Sequence, residues 1–409
     1  MNARIFWAAA LALAAAMLPV QAQTGEDVLR YGQRFPAVDA RMTGLAGAGV
    51  AGIADWGAAF ANPAGLGLIR RSHAVGSLGG GTLESDAVFE GEALTATASR
   101  TTLGSAAYVG VVPVRRGSLV LGVGYNQTAG FDRELSFGQV GTGPFGDVFE
   151  EGERGELSFV GAVEVAPRVL FGASLNLVGG EYQFEQFIEN VFPEGEEPLR
   201  FLEADLGGVN VRAGLAAEVS AGTRLGLAVE TPTYFRIEEE DEFGPFEPYS
   251  ITTPWRLSGG LAYDRGGLLL AADIEFVDWS QARLRPSNDF VDANFDLRRS
   301  YSEVLNTRFG AEYDLGVWAV RAGAAFQPDP LREEFERLAQ AGEPDLDRLR
   351  STYTVGFSLK TLNRIALDVA YAYTEFEDRV VFDSADAGAL VVSEDVVRNR
   401  FVVGVRVAL

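Results

Sequence analysis

The feature that most constrains this chain is an alternation of apolar and polar residues that recurs along most of its length. From Phe401 to Leu409 the odd positions are all apolar, whereas the even positions include Gly404 and Arg406. The residues around Ile274 and Ile365 follow the same pattern. Because successive side chains of a β-strand point to opposite faces, this period of two predicts strands with one apolar face.

Fourteen such segments follow residue 70, centred near residues 78, 107, 124, 160, 175, 214, 230, 258, 275, 309, 322, 356, 371 and 402. The connections between them alternate in length. Six are short turns, and seven are long and mostly acidic: 87–98, 132–153, 183–206, 238–252, 285–302, 328–350 and 379–395. An even strand number with short turns at one end and long loops at the other is typical of outer-membrane barrels. We therefore predict an all-β fold, a 14-stranded antiparallel transmembrane barrel over residues 71–409.

A soluble β-sandwich also alternates, but the polar face of these segments repeatedly carries a charge at mid-strand. Examples are Arg212, Asp273, Glu312, Arg321 and Asp368. Charges are tolerated inside a barrel, whereas Arg or Lys on the lipid face costs about 2–4 kcal/mol at the bilayer midplane. A sheet in hydrocarbon must also close on itself, because every backbone N–H and C=O has to be paired there. The pattern favours the closed barrel.

The first 22 residues predict a secretory signal peptide. Arg4 precedes an apolar run from Ile5 to Leu18, and Val20-Gln21-Ala22 resembles a cleavage site. The run is shorter than the roughly 20 residues that a membrane-spanning helix needs. Together with the barrel pattern, residues 1–22 predict an integral protein of the bacterial outer membrane.

Composition excludes several classes of function. The net charge of −23 argues against binding to nucleic acid or to an anionic membrane surface. The chain has no cysteine and one histidine, His73, with no partner spacing for a catalytic or metal site. We therefore expect no enzymatic activity, no cofactor and no metal.

A run of small residues from Gly44 to Gly67 precedes the first strand. It contains GAGVAG, in which Gly47, Gly49 and Gly52 have the G-x-G-x-x-G spacing of dinucleotide-binding loops. That function requires a preceding strand and an acidic residue about 20 positions later, and neither is present. A compact plug inside the barrel is the better interpretation of residues 23–70.

This N-terminal stretch resembles the hatch signature of the outer-membrane long-chain fatty acid and hydrocarbon transporter family (FadL/TodX type). The resemblance covers residues 47–66 and includes the family's Asn-Pro-Ala motif at Asn62, Pro63 and Ala64. Patches within residues 255–281 and 344–371 agree with the same family. The resemblance implies a 14-stranded barrel with an internal hatch and passive uptake of hydrophobic molecules. It also implies that external loops capture the substrate, that an apolar pocket receives it, and that a kinked third strand releases it sideways into the membrane.

The resemblance also assigns candidate site residues. The hatch or gate residues are Gly47, Gly49, Gly52, Asn62, Pro63 and Ala64. The candidate pocket residues are Phe35, Leu45, Ile53, Trp56, Phe60, Phe145, Phe149, Phe184, Phe187 and Phe192. The lateral opening is predicted at Asn126, Gly130 and Phe131, where the alternation of the third strand breaks.

The predicted partners are a hydrophobic ligand, outer-membrane lipid and lipopolysaccharide, and the barrel-assembly machinery, and the expected state is a monomer. The acidity of the long loops leaves the ligand open between a fatty acid and a neutral hydrocarbon. The main alternative is a barrel of the same type that assists protein secretion. A lipid-modifying enzyme and a general polar porin are further alternatives.

Overall fold

The computed structural model describes residues 25–89, 91–138, 145–189, 199–332, 348–361, 364–384 and 388–409. Within these ranges the chain forms one antiparallel sheet whose first and last strands pair with each other. His73 pairs with Ala408 at one end of this seam, and Val88 pairs with Ser393 at the other. The sheet is therefore a closed barrel, and its fourteen strands confirm the predicted fold. The predicted signal peptide lies outside the described residues.

Four of the fourteen strands are interrupted and consist of two segments. In chain order the strands are β1 (His73–Phe89), β2 (Glu92–Val112), β3 (Leu119–Gly130 and Arg133–Gly138), β4 (Phe145–Ala166), β5 (Val169–Glu189), β6 (Leu199–Ser220), β7 (Thr223–Glu230 and Tyr234–Asp241), β8 (Tyr249–Thr252 and Arg256–Arg265), β9 (Leu268–Asp278 and Arg283–Arg285), β10 (Glu303–Asp314), β11 (Trp318–Gln327), β12 (Arg350–Thr361), β13 (Ile365–Ser384) and β14 (Gly388–Ala408). A two-residue strand, Gly244–Pro245, pairs with the outer end of β7. Every predicted segment centre lies within one of the fourteen strands.

The two faces of the wall differ as the alternation predicts. Leu78, Phe309 and Val403 are exposed on the outside, where the wall meets lipid, whereas Val402 and Arg321 are buried inside. The mid-strand charges thus point into the barrel, and the apolar side chains form the outer band that a membrane requires.

The long loops were predicted too long, because several strands continue beyond the apolar band. β1 and β2 are joined by residues 90 and 91 rather than by a loop over 87–98, and β13 and β14 stay paired up to Ser384 and Gly388. The predicted loops 132–153 and 183–206 contain the outer ends of β3 to β6. In these extensions acidic residues such as Glu151 and Glu185 occupy outward positions. The apolar alternation ends there, although the backbone pairing continues.

Short helices occur before the barrel and in one outer loop. They are α1 (Gly25–Gly32), α2 (Ala40–Gly44), α3 (Ala58–Ala61), a 3₁₀ helix over Pro63–Leu68, a second 3₁₀ helix over Trp279–Gln281, and α4 (Val291–Ser300). Asp39 starts α2 by accepting a hydrogen bond from the Met42 N–H at 2.8 Å, as an N-cap residue does. Over the part of the chain that the structure describes, no helix is long and apolar enough to cross a membrane.

Residues 25–69, here called the inner segment, lie inside the barrel and touch strands on all sides of it. Gly44 lies against Gly356 of β12, Trp56 against Gly122 of β3, and Leu45 against Gly310 and Gly323 of β10 and β11. Gly310 and Gly323 are paired with each other across the two strands. A Cβ atom at Gly323 would lie 2.7 Å from the carbonyl carbon of Leu45. The backbone of the inner segment therefore packs directly on the backbone of the wall.

We predict that Gly323→Ala displaces Leu45 and lowers the free energy of unfolding by about 1–3 kcal/mol, the usual cost of overpacking. Gly207→Ala is the matched control, because a Cβ atom there meets nothing within 4 Å. Denaturant unfolding of both purified variants, followed by tryptophan fluorescence, measures the difference. Equal unfolding midpoints for the two variants would contradict the close packing of the inner segment.

Candidate functional site inside the barrel

The apolar residues of the inner segment are covered by the wall. Leu45, Ile53, Trp56 and Phe60 are all buried in one cluster. Wall residues of β2, β3, β4, β8 and β9, among them Val109, complete that cluster. The structure thus places four of the predicted pocket residues in the contact between segment and wall rather than around an open cavity.

Asn62 ties the inner segment to itself and to the wall. Its side-chain oxygen accepts a hydrogen bond from the Ala64 N–H at 3.1 Å, which starts the 3₁₀ helix, with Pro63 at the first helical position. Its amide nitrogen donates to the carbonyl oxygens of Val50, at 2.7 Å, and of Leu215 in β6, at 3.0 Å. The side chain is wholly buried. One residue of the Asn-Pro-Ala motif therefore joins two turns of the segment to a barrel strand.

The GAGVAG stretch binds an anion, but the anion is a carboxylate of the chain itself. The backbone N–H groups of Gly49 and Val50 donate to Asp273 of β9 at 2.6 and 2.9 Å. Gly47 and Gly52 have φ values of 84° and 94°, which only glycine adopts at low cost. The small residues thus let two N–H groups converge on one wall carboxylate, a partner that the sequence pattern did not reveal.

Ion pairs connect the inner segment to four strands. Arg34 lies between Glu230 of β7, at 2.6 Å, and Glu275 of β9, at 2.8 Å. On the other side of the segment, Arg41 contacts Glu312 of β10 at 2.8 Å. Asp55 contacts Arg406 of β14 at 2.5 Å. Because removing one partner of a buried pair leaves an uncompensated charge, these contacts resist displacement of the segment.

The inner-segment carboxylate of Asp55 stays ionised in this position. Burial opposes its ionisation, but the positive charge of Arg406, followed by that of Arg41, keeps the pKa of Asp55 below its ordinary value. The ring of His73 lies 3.9 Å from this carboxylate. The only histidine of the chain thus belongs to the contact between segment and wall. Among the described residues, no group of His, Cys, Asp and Glu could hold a metal ion.

Arginines of the wall also bind backbone carbonyl groups of the inner segment. Arg212 donates to Ala59 at 2.9 Å, Arg256 to Gly32 at 2.9 Å, and Arg400 to Ala37 at 2.8 Å. These arginines supply hydrogen-bond donors to carbonyl groups that no helix or sheet would pair. Buried backbone groups need such partners.

A cavity of about 260 Å³ lies beyond the inner segment, among the outer parts of the strands. Three predicted site residues line it: Phe35 from the inner segment, and Gly130 and Phe131 from β3. The rest of its lining is rich in arginine, including Arg350, Arg398 and Arg400. Of the other predicted pocket residues that the structure describes, none lines it.

The wall is interrupted beside this cavity. Pairing between β2 and β3 ends at Ser105 and Asn126, and the pairing of β3 with β4 shifts register between Gln127 and Ala129. A second cavity of about 60 Å³ lies in the gap, lined by residues of β1, β2, β3 and β14. Asn126 and Gly130 were both predicted at a lateral opening: pairing with β2 ends at Asn126, and Gly130 lines both cavities.

Side chains and the inner segment bridge this gap. Thr102 of β2 donates to Gln127 of β3 at 2.7 Å, and Arg100 contacts Asp132 at 3.0 Å.

From the inner segment, the Trp56 indole N–H donates to the Asn126 side chain at 2.7 Å. The Phe35 backbone N–H donates to the Thr128 carbonyl at 2.8 Å. The interrupted strand is therefore hydrogen-bonded directly to the inner segment, a connection that spacing alone did not predict.

The remaining predicted pocket residues lie on the outer strand extensions. Phe145 and Phe149 belong to β4, where Phe149 faces outward and is 42% exposed. Phe184 and Phe187 belong to β5, and Phe184 packs against two buried clusters. Phe192 lies outside the described residues. The described parts of these two stretches, which were predicted as external loops, are strand.

Neither a protein-family model nor a curated protein matches this sequence. Solved structures match its fold, beginning with a FadL homologue from Pseudomonas aeruginosa at a TM-score of 0.68 and 14% identity, over 92% of this chain and 99% of that one. The toluene transporter TodX of P. putida matches at a TM-score of 0.65 and 15% identity, with the same coverage of 92% and 99%. The toluene transporter TbuX of Ralstonia pickettii matches at 0.55 and 16%, again over 92% and 99%. Because these alignments extend over nearly the whole chain, the protein has the fold of the FadL/TodX-type channels.

Proposed function

We propose that this protein is an outer-membrane channel through which hydrophobic small molecules, such as hydrocarbons or fatty acids, pass passively. In this proposal they enter the barrel from outside and leave sideways into the membrane between β2 and β3. The observation that carries the proposal is the interruption of the wall beyond Ser105 and Asn126, next to the cavity lined by Phe35 and Gly130. The solved toluene transporters of the same fold support this class of substrate.

The inner segment serves as the hatch in this proposal. Its ion pairs with β7, β9, β10 and β14 and its close backbone packing favour a closed direct path towards the periplasm. A water-filled path would offer an apolar molecule no gain, whereas burial in an apolar environment is worth about 0.8 kcal/mol per methylene. A sideways path leads the substrate into lipid without crossing water.

The hatch and the lateral opening act together in this proposal. Trp56 of the inner segment bonds to Asn126, the last residue of β3 that pairs with β2, and Phe35 bonds to Thr128, which has no partner on β2. A movement of the segment would change the hydrogen bonding of the interrupted strand. Ligand arriving beside Phe35 can therefore influence the opening through which it leaves.

An aromatic cluster near the outer cavity supports the capture of apolar molecules. Tyr31 of α1, Phe131 of β3 and Tyr182 of β5 pack edge to face, with ring centroids 5.6 to 6.2 Å apart. Rings in this geometry present faces and edges that other apolar groups can contact. The cluster borders the cavity through Phe131.

We predict that Ala98→Trp blocks the lateral opening and lowers uptake at least tenfold. Ala98 lines the small cavity in the gap, so an indole there fills the opening. Uptake of radiolabelled toluene and oleate by Gram-negative cells that produce the protein measures the effect. Ala106→Trp is the matched control, because Ala106 is exposed on the same strand where β2 pairs regularly with β3.

Normal uptake by the Ala98→Trp variant, with folding confirmed by the gel mobility of unheated protein, would refute lateral release. If cells with the wild-type protein took up no more of either compound than control cells, the transport proposal itself would fail. Stable association with a secretion complex would then favour the role in protein secretion.

We predict that Asn62→Ala loosens the hatch and lowers uptake while the barrel assembles normally. The substitution removes the side-chain donor to the Val50 and Leu215 carbonyl groups and removes a helix cap, each loss worth about 1–2 kcal/mol. Ion conductance of the purified protein in planar bilayers should rise as the segment loosens. Asn288→Ala, at an exposed position between β9 and α4, is the control. Wild-type conductance and uptake in Asn62→Ala would remove the main support for the hatch.

A further inference from the structure

The outer cavity contains more positive charge than its own carboxylates neutralise. Among its six lining arginines, Arg30, Arg34 and Arg133 pair with carboxylates. For Arg350, Arg398 and Arg400, no carboxylate of a described residue lies within ion-pair distance. This group is here called the arginine triad.

The acidic residues of the cavity lining contact or lie near arginines outside the triad. Glu150 and Glu394 contact Arg133, and Asp132 contacts Arg100. Asp378, the fourth acid, lies near Arg133 and Glu394. The carboxylates of Asp132 and Asp39 act on Arg398 and Arg400 only from beyond ion-pair distance. The triad therefore keeps a net positive charge in a partly enclosed space, where charges are poorly screened.

Aromatic rings hold the triad in orientation. The guanidinium carbons of Arg400 and Arg398 lie 4.3 and 5.9 Å from the centroid of the Phe35 ring. Arg350 lies 4.6 Å from the centroid of the Phe376 ring. A guanidinium group stacked on a ring leaves N–H groups at its edge free for a carboxylate. One nitrogen of Arg400, Nη2, is buried and has no hydrogen-bond partner in the structure.

The size of the cavity limits what the triad can bind. At about 260 Å³ it is larger than a cavity of about 150 Å³, which holds one benzene ring. It is smaller than the pockets of about 300–1,000 Å³ that hold drug-sized ligands. A single ring with a charged substituent fits between these limits.

We propose that the arginine triad is a binding site for compact amphipathic anions, with one carboxylate or sulfonate on an apolar body about the size of one ring. The anionic group meets the guanidinium edges, and the apolar body lies beside Phe35 and Phe131. This inference rests on the proposed transport function and narrows its substrate class.

The acidity of the outer surface does not oppose this inference. Exposed charges in water at physiological ionic strength are screened beyond about 8 Å, whereas the charges of the triad face an enclosed cavity. The triad acts on a ligand that has already entered, so it determines which molecules stay in the cavity.

Benzoate and toluene test the proposal, because they share a ring and differ in charge. Calorimetric titration of the full-length protein in a non-ionic detergent should show benzoate binding at least tenfold more tightly than toluene. Benzoate binding should weaken at least tenfold in Arg398→Gln and in Arg350→Gln. Higher salt should weaken the binding of benzoate and not that of toluene.

Arg398→Gln is the primary variant, since among described residues its guanidinium group stacks on the Phe35 ring and forms no side-chain hydrogen bond or ion pair. Arg350 bonds to Gln33 and serves as an independent second variant. Arg115→Gln, in the exposed turn between β2 and β3, is the matched control and should bind benzoate like the wild type.

If toluene binds as tightly as benzoate, or if neither triad variant weakens benzoate binding, the anion site is refuted while the transport function stands. If neither compound binds and cells take up neither, both proposals fail. Loss of benzoate binding in both triad variants but not in Arg115→Gln supports the site.

Discussion

Backbone groups in hydrocarbon have no water to bond to, and this constraint determines where the wall is closed and where it can open. Around the barrel each strand pairs on both sides, but β3 loses its β2 partner beyond Asn126. There, Gln127 bonds to Thr102, and the inner segment supplies Phe35 and Trp56 as donors. The Phe35 N–H bonds to the Thr128 carbonyl and so replaces one backbone partner that β2 no longer supplies, whereas the Trp56 and Thr102 contacts join side chains. The inner segment therefore takes part in closing the wall where the two strands separate.

The sequence predicts the barrel well because lipid outside and charge inside impose a period of two on every strand. The predicted segments around Ile274 and Phe401 therefore lie in β9 and β14. The ends of the strands were not predictable in the same way. Beyond the membrane, outward positions carry residues such as Glu151, so strand and acidic loop have similar composition. Strand pairing continues there through backbone hydrogen bonds, which do not require an apolar alternation of the side chains.

The candidate site was predictable only in part, because its contacts join residues far apart in the chain. The motif at Asn62 and the broken alternation near Asn126 are local signals, and both residues lie where wall and inner segment meet. Asp273 and the arginine triad look like ordinary barrel-interior charges in the sequence. Their roles depend on which side chains the closed barrel brings opposite them. Leu45 and Trp56 are apolar residues of the predicted hatch and were therefore assigned to a pocket, yet close packing against the wall covers them.

The contacts of the inner segment also determine the order in which the molecule can assemble. Asp55 meets Arg406, which lies 351 positions later, and Gly49 meets Asp273, 224 positions later. The part of the described chain that is synthesised first therefore completes its contacts only when the last strand is in place, although β2, β3 and β4 already offer part of its apolar cover. Contacts of such long sequence separation form slowly. Until the last strand closes the seam, the segment lacks its ion pair with that strand.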